Sequence, residues 1–185
     1  RAGSIVPVVC TAASANLGVQ ALMDALVLLA PSPNQSAPVT AVRSNTGDTM
    51  TLATDPNGPL AALVFKTVAD PYVGRVTFFR VFSGTMHSDS RVFNSRSESE
   101  ERIPQLFTPR GEQHTNVDVV VAGDIGAVAK LTSTITSDTL CEKAGALQLA
   151  KPSYPSPLFA VAISPKTKAD SAKLGPALTR LSEED

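Results

Sequence analysis

The sequence predicts a mainly β fold, with a β-barrel in the middle and partial α/β pieces on both sides. Residues 60–145 alternate short β-type runs with Gly and Asp turns, and no helical period lies between them. Residues 1–33 and 158–185 each have the pattern of one strand followed by one helix. Proline-rich stretches separate these parts, which predicts linkers over residues 34–59 and 146–157.

The composition is that of a globular protein, and it narrows the possible functions. Of the 185 residues, 43% are hydrophobic and 18% are charged. The net charge is -1, so binding to nucleic acid requires a local basic patch. Two cysteines and two histidines exclude a disulfide-rich scaffold and a closed zinc site. With no sign of secretion we expect reduced thiols, and the longest apolar run, residues 25–30, is too short to span a membrane.

The first piece predicts a strand over residues 5–10, because β-branched residues are concentrated there. A helix is predicted over residues 18–30, where apolar side chains recur every three or four positions. The chain begins without Met and ends directly after a helical pattern, so we expect it to be part of a longer protein.

The middle block predicts strands that are joined by tight turns. The predicted turns fall at residues 70–71, 83–84 and 123–124. The predicted strands cover residues 60–67, 74–82, 90–94, 101–109, 116–121, 125–131 and 138–141. A set of strands this short would leave open edges in a flat sheet, so closure into a barrel is favoured.

The last piece predicts a strand over residues 158–163, where apolar and small side chains alternate. A helix follows over residues 169–181, and Pro176 is expected to kink or delay it.

No pattern typical of a catalytic or metal site is present, so we predict no catalytic residue and no metal ligand. The phosphate loop GxxxxGK[ST] is absent, and residues 55–58 match DxxG only as a turn. His87 and His114 are expected on the surface. The acidic cluster of Glu98, Glu100 and Glu101 is interpreted as a solvated loop.

Arginines are the most informative polar residues of the middle block, because a guanidinium bonds two phosphate oxygens at once. If several share one face, they form a phosphate-binding patch. The alternative is salt pairs with Asp70, Asp89, Glu98, Glu101 and Asp118. The arginines concerned are Arg75, Arg80, Arg91, Arg96, Arg102 and Arg110.

The middle block resembles domain II of bacterial elongation factor G, a translational GTPase. The residues that carry the resemblance are 70–75 (DPYVGR), 77–85 (TFFRVFSGT), 122–128 (AGDIGAV) and 137–141 (SDTLC), where Ser137 replaces a common Gly. Residues 160–170 and 177–185 resemble the start of domain III. Residues 7–10 and 18–33 resemble the last strand and helix of the GTPase domain.

The resemblance implies a GTPase that moves tRNA and mRNA through the ribosome, and a barrel that contacts small-subunit rRNA. It implies GTP as the cofactor of the full-length parent, the ribosome and the neighbouring parent domains as partners, and a cytoplasmic location without membrane contact. Ala12 and Ala13 fall on the family's last guanine-base motif, where a Ser hydroxyl is lost. The loop that is commonly Lys-rich here reads SRSESEE over residues 95–101. The candidate rRNA contacts are Arg75, Arg80, Arg96 and Arg102.

Three functions stay open at this point. The first is a piece of an elongation factor G-like GTPase that docks on the ribosome and couples domains, without GTPase activity of its own. The second is a ribosomal-protection factor of the same superfamily, which removes tetracycline. The third is a stand-alone β-barrel interaction module without a GTPase partner.

Overall fold

The computed structural model describes residues 6–70, 74–111 and 113–184. The chain divides into two units, Arg1–Ala37 and Pro38–Asp185. Within the described ranges, none of the helices combines the length and apolar character that crossing a lipid bilayer requires.

In the described residues, the first unit contains one α-helix, α1 (Val19–Leu29), and two short 3-10 helices at Ala13–Ala15 and Pro33–Gln35. The predicted helix over residues 18–30 is therefore confirmed. The predicted strand over residues 5–10 is wrong for residues 6–10, which form no strand, and Ile5 lies outside the described residues. A strand is held by its hydrogen bonds to a neighbour, and no β-strand lies in the described part of this unit to provide them.

The described residues of the second unit form thirteen strands, one α-helix and a 3-10 helix at Lys143–Gly145. The strands are β1 (Val39–Arg43), β2 (Thr49–Leu52), β3 (Ala61–Asp70), β4 (Gly74–Ser83), β5 (Thr85–His87), β6 (Ser90–Asn94), β7 (Ser99–Ile103), β8 (Leu106–Arg110), β9 (Gln113–Val117), β10 (Val119–Val121), β11 (Ile125–Ala129), β12 (Thr139–Cys141) and β13 (Leu147–Leu149). The helix α2 covers Lys168–Glu184 and contains Pro176.

Eight strands form one antiparallel sheet in the order β7-β6-β12-β3-β4-β11-β8-β9. The sheet must be strongly curled, because β7 and β8 hold its first and seventh positions but only Pro104 and Gln105 join them. In a flat sheet these strands would lie about 29 Å apart. The three Cα–Cα steps from Ile103 to Leu106 reach at most about 11 Å. This confirms the mainly β prediction and the barrel-like centre.

Apolar side chains from both edges and from the middle of the curled sheet meet in one core. The bulky members Phe79, Met86 and Ile103 are fully buried. The two-stranded ribbon of β5 and β10 contributes Met86 and Val120. The other buried residues of this core are Leu60, Ala62, Val64, Val81, Val92, Leu106, Val128, Leu131 and Leu140.

A second sheet of three strands, β13-β1-β2, lies against the outside of the barrel. Ala41 and Leu149 of this sheet pack with Ala61 and Cys141 of the barrel strands β3 and β12. The segment 34–59, expected as a linker, therefore contains two strands that belong to a packed layer. This hairpin was not predicted, because residues 44–51 include Thr, Asn and Gly and few of its side chains point inward.

Several predicted boundaries change in the structure. The predicted strands 101–109 and 116–121 are each split in two, and Pro104 lies at the first break. Residues 158–163 form no strand, contrary to the prediction, and their large apolar side chains are exposed. The predicted turn at residues 70–71 extends outside the described residues.

Candidate functional site

The four predicted rRNA-contacting arginines do not form a single patch. Arg75 and Arg80 lie on β4 at an odd separation, which places them on opposite faces because side chains alternate along a strand. Arg96 lies in the turn between β6 and β7, and Arg102 lies on β7. Three strands separate β4 from β7 in the sheet.

Arg96 is a clamp between two loops, and 36% of its side chain is exposed. Its Nε donates to Asp138 Oδ1 at 2.6 Å, and its Nη2 donates to Asp138 Oδ2 at 3.0 Å and to the Ser133 carbonyl at 2.7 Å. The bidentate bond to Asp138 raises the pKa of Arg96 above its ordinary value. Through its Nε and Nη2, this guanidinium connects the β6–β7 turn to the loop before β12.

Asp138 is the buried centre of this clamp, with 1% of its side chain exposed. Besides Arg96, its Oδ2 accepts the Asn94 side-chain amide at 2.8 Å and the Ile135 N–H at 2.9 Å. Asn94 Oδ1 in turn accepts the Arg96 N–H at 3.0 Å. Asp138 was absent from the acidic residues expected to pair with arginine, because its partner lies 42 positions away in the sequence.

Glu101 fixes the same loop from the other side, and the interpretation of it as part of a solvated loop is wrong. The residue is 6% exposed. Its carboxylate accepts the Thr132 N–H at 2.7 Å, the Ser133 N–H at 3.2 Å and the hydroxyls of Ser133 and Thr134. Burial by itself raises the pKa of Glu101, but the hydrogen bonds from Thr134, Thr132 and Ser133 outweigh it and lower the pKa below its ordinary value.

The outer side of the β6–β7 hairpin carries an exposed group of cations, which we call the hairpin face: Arg91, Arg102 and Lys143. Arg91 and Arg102 are directly opposed across the two strands, and 76% and 72% of their side chains are exposed. Like charges in such a pair repel each other unless anions offset them. Glu100 lies 3.7 Å from Arg91 and 2.8 Å from Lys143, and Asp89 lies 3.2 Å from Arg102.

These exposed ion pairs bind the cations only weakly, because solvated pairs contribute at most about 1 kcal/mol. The two guanidinium groups therefore remain accessible to an external anion. The sequence placed Arg91 and Arg102 in the wider arginine set. Lys143 was missed because the sequence analysis singled out arginines, and this lysine lies after β12 and contacts the hairpin through Glu100.

Arg75 and Arg80 carry buried nitrogen atoms without a hydrogen-bond partner, namely Nε and Nη2 of Arg75 and Nε of Arg80. Arg75 shares its strand face with Thr77 and Phe79, which are buried in the barrel. Arg80 lies on the outer face, with its guanidinium carbon 5.2 Å from the centre of the Phe82 ring. Neither residue lies on the hairpin face.

Ala12 and Ala13 begin a tight loop that leads to α1. The Ala12 N–H donates to the Leu17 carbonyl at 3.0 Å, and the Leu17 N–H donates back at 3.1 Å. Ala13 is the first residue of the 3-10 helix, so its amide has no acceptor within that helix. Two methyl side chains and one such amide do not by themselves form a guanine site.

The remaining polar residues give no sign of catalysis. Across the described ranges, no three His, Cys, Asp or Glu side chains come together as metal ligands would. His87 and His114 are exposed, as expected, and His114 stacks on Phe107 with the ring centres 4.5 Å apart. Asp55–Gly58 is a turn, in which the Asp55 carboxylate accepts the Asn57 N–H at 2.9 Å.

Comparison with known proteins agrees with this fold and with its order along the chain. Residues 59–143 match the family model "Elongation factor G domain 2". The protein named Elongation factor G in Chlamydia trachomatis serovar D is 43% identical over 183 residues. The Elongation factor G of Chlamydia trachomatis serovar A is equally similar.

These matches cover 99% of the chain but 26% of each relative, so the chain spans about a quarter of their length. A crystal structure of a Thermus thermophilus protein superposes with a TM-score of 0.64 and 28% sequence identity. That match covers 91% of this chain and 23% of the other. The chain therefore belongs to the elongation factor G-like translation factors, and its barrel is the domain 2 of that family.

Proposed function

We propose that this chain acts as part of an elongation factor G-like factor in ribosomal translocation, and that its barrel docks on the small-subunit rRNA. The observation that supports this most strongly is the 43% identity to Elongation factor G along 99% of the chain. A cytoplasmic location and coupling to the other domains of the factor are parts of the same proposal.

Within the barrel, the hairpin face is the surface best suited to phosphate. Arg91 and Arg102 are exposed and directly opposed, and each is held only by a solvated ion pair. A phosphate replaces such a pair at low cost, since it offers several oxygens to one planar guanidinium. Arg96 is expected to contribute differently, by fixing the turn that orients the hairpin.

The proposal is tested by measuring the binding of the 185-residue chain to isolated small ribosomal subunits between about 50 and 300 mM salt. We expect weak binding that falls with salt, because few phosphates are neutralised. The double variant Arg91→Gln/Arg102→Gln should bind about tenfold more weakly at low salt, with the slope of log K against log[salt] reduced by about 1 per lost contact.

The matched control is Lys168→Gln/Lys173→Gln, which removes the same charge from α2. An equal loss of affinity in this control would show that only net charge matters. Tight binding that salt does not change would contradict docking through arginine.

We also propose that GTP, which the resemblance implies for the full-length factor, is not hydrolysed by this chain alone. The sequence lacks the phosphate loop, and the side chains of Ala12 and Ala13 offer no hydrogen bond to guanine. Phosphate release from GTP by the purified chain should equal that of buffer. Release that rises with chain concentration and survives repurification would overturn this expectation.

A further inference from the structure

The β6–β7 hairpin, which carries the hairpin face, lies at one end of the eight-stranded sheet. β7 is the outermost strand there, and β6 is its only neighbour among the described strands. β6 in turn meets β12 near the turn of the hairpin, through Phe93 and Asn94, whereas Arg91 and Arg102 lie towards its other end. Edge segments with few backbone bonds to the rest of a sheet open readily, so the position of these arginines depends on other contacts.

Glu101 provides such contacts on β7 itself. It precedes Arg102, and the alternation of side chains along a strand places the two on opposite faces. The Arg102 side chain is 72% exposed, whereas Glu101 is buried. The Glu101 carboxylate accepts the N–H groups of Thr132 and Ser133 at 2.7 and 3.2 Å. These bonds connect the edge strand to the loop between β11 and β12, residues 132–138, which we call the back loop.

Asp138, at the end of the back loop, holds the turn of the same hairpin. Its carboxylate accepts hydrogen bonds from the Arg96 guanidinium and from the Asn94 side-chain amide. With its NH₂ group held in this way, Asn94 directs its Oδ1 at the backbone N–H groups of Arg96 and Ser97, at 3.0 and 3.2 Å. One buried carboxylate therefore fixes both the side chains and the backbone of the turn.

The back loop can hold the hairpin because it is itself bonded to the middle of the barrel. Val64 on β3 donates its N–H to the Asp138 carbonyl at 2.9 Å, and the Ser137 N–H donates to the Val64 carbonyl at 2.8 Å. Thr134 is fully buried, and its hydroxyl donates to Glu101. Hydrogen bonds to a carboxylate are stronger than those between neutral groups, so the hairpin is joined firmly to a fixed part of the fold.

We infer that Glu101 and Asp138 are positioning residues of the hairpin face. They hold the β6–β7 hairpin from its inner side, so that Arg91 and Arg102 are presented to phosphate in a fixed arrangement. Neither carboxylate touches the phosphate, and their effect is to lower the ordering cost of binding. The inference rests on the proposed docking through these two arginines and adds the residues that organise it.

The charges of the two residues separate positioning from simple electrostatics. Glu101→Gln and Asp138→Asn each remove a negative charge, so electrostatics alone would tighten binding to rRNA. We expect both variants instead to bind isolated small ribosomal subunits about fivefold more weakly at low salt. Arg96→Lys, which keeps the charge but loses the planar fork, should also weaken binding, and it serves if Asp138→Asn fails to fold. Binding that tightens in the two carboxylate variants would overturn the inference.

Two controls separate a mispositioned hairpin from a protein that is merely less stable. Gly84→Ala introduces a clash with backbone atoms of Leu60, outside the hairpin, and should bind subunits like the parent. In the Arg91→Gln/Arg102→Gln background, Asp138→Asn should cause no further loss of affinity, because it acts through those arginines. An equal loss in both backgrounds would show general destabilisation and overturn the inference.

Hydrogen exchange of the free chain tests the same inference without the ribosome. In Asp138→Asn, exchange at the Arg96 and Ser97 amides should accelerate at least about tenfold more than at the Phe79 amide, which reports opening of the whole barrel. Equal acceleration at both places would overturn the inference. If Arg91→Gln/Arg102→Gln binds subunits as well as the parent does, the proposed docking site fails, and the exchange result still decides whether Asp138 fixes the hairpin.

Discussion

Glu101 illustrates how one carboxylate stabilises the structure in a way that depends on pH. Because its pKa is lowered in the folded protein, its contribution is fully present above the ordinary Glu value of about 4.3. The contribution is lost as the pH falls through the lower, folded-state value, where the carboxylate takes up a proton. The loop at residues 132–134 then loses its acceptor.

We predict that Glu101→Gln lowers the free energy of unfolding at pH 7 by about 2 kcal/mol. The amide NH₂ group of Gln is itself a donor, and it would face the N–H and O–H donors of residues 132–134. The variant should also lose part of the acid sensitivity of the parent. Urea unfolding at pH 7 and at about pH 4 measures both effects. Glu98→Gln, at an exposed residue of the β6–β7 turn, should behave like the parent.

Ser137 occupies a backbone conformation that suits glycine, with φ at +73°. A left-handed backbone conformation costs a residue with a Cβ about 1–2 kcal/mol. Glycine avoids this strain, but its unfolded chain is more flexible, and ordering it on folding costs about 0.5–1 kcal/mol more. We therefore predict that Ser137→Gly raises the free energy of unfolding by about 0.5–1 kcal/mol. Ser137→Ala, which keeps the Cβ and removes the hydroxyl, should give no gain in thermal unfolding.

The sequence identifies individual arginines as important but not what each one does. Arg96 is one of the predicted rRNA contacts, and its Nε and Nη2 bond Asp138 and Ser133 within the protein. These partners lie 42 and 37 positions away, so no local pattern reveals the pairing. The Ser at position 137 was noted in place of a family Gly, and the positive φ supplies the physical reason for that Gly.

At the scale of elements, the β3–β4 hairpin continues into a turn at Gly84 that admits no side chain. Its φ is +78°, and a Cβ there would lie 2.6 Å from Leu60 Cα and 2.8 Å from Leu60 N. The obstacles are backbone atoms, which cannot rotate away. The turn thus fixes the beginning of β3 against the end of β4.

We predict that Gly84→Ala destabilises the second unit by at least about 2 kcal/mol, from backbone strain and the clash together. Gly47→Ala is the matched control, because Gly47 has a φ of +75° and no atom lies within 4 Å of the position that an added Cβ would take. Its loss should be about 1 kcal/mol, from the backbone alone. Equal losses in denaturant unfolding would contradict the clash at Leu60.

Periodicity predicts strands where a strand buries one face, and it fails where the partner is missing or the face is polar. Strands β4 and β11 were predicted from their alternation, and they bury Phe79 and Val128 in the core. Strands β1 and β2 were missed, since Thr is the commonest residue of their hairpin and turn-forming residues lie between them. Residues 6–10 and 158–163 have strand composition but form no ladder, so propensity alone misled there.

At the scale of the whole molecule, Cys141 reports whether the three-stranded sheet stays on the barrel. Its thiol is buried between them, where Sγ donates to the Phe93 carbonyl at 3.5 Å and accepts the Leu147 N–H at 3.4 Å. Burial raises the pKa of the Cys141 thiol, which reduces the reactive thiolate. Cys10 in the first unit is exposed.

We predict that an aromatic disulfide reagent modifies one thiol rapidly in the native protein and the second only in denaturant. Cys10→Ser should remove the fast phase and leave the slow one. Rapid reaction of both thiols under native conditions would show that the small sheet separates readily from the barrel.

Barrel closure could be predicted from the number and shortness of the strands, but the outer layer could not, because it depends on residues 39–52 and 147–149 meeting across the whole barrel sequence. A cavity on the outer face of β3, β4 and β11 could not be predicted either, since its lining residues come from three strands. Of the three functions left open by the sequence, the relatives named Elongation factor G favour the translation factor over a stand-alone module.

The pairing of Ala61 with Cys141, and of Ala41 with Leu149, brings the two flanks of the barrel to one place. A longer polypeptide that contains this block therefore enters and leaves it at neighbouring positions, and a force that pulls on the two flanks acts on these paired strands before it reaches the core. New termini opened in an exposed hairpin, with the beginning of β1 and the end of β13 joined by a short linker, should leave both sheets intact. The pairing of the first strand of the unit with its last strand is what makes circular permutation possible.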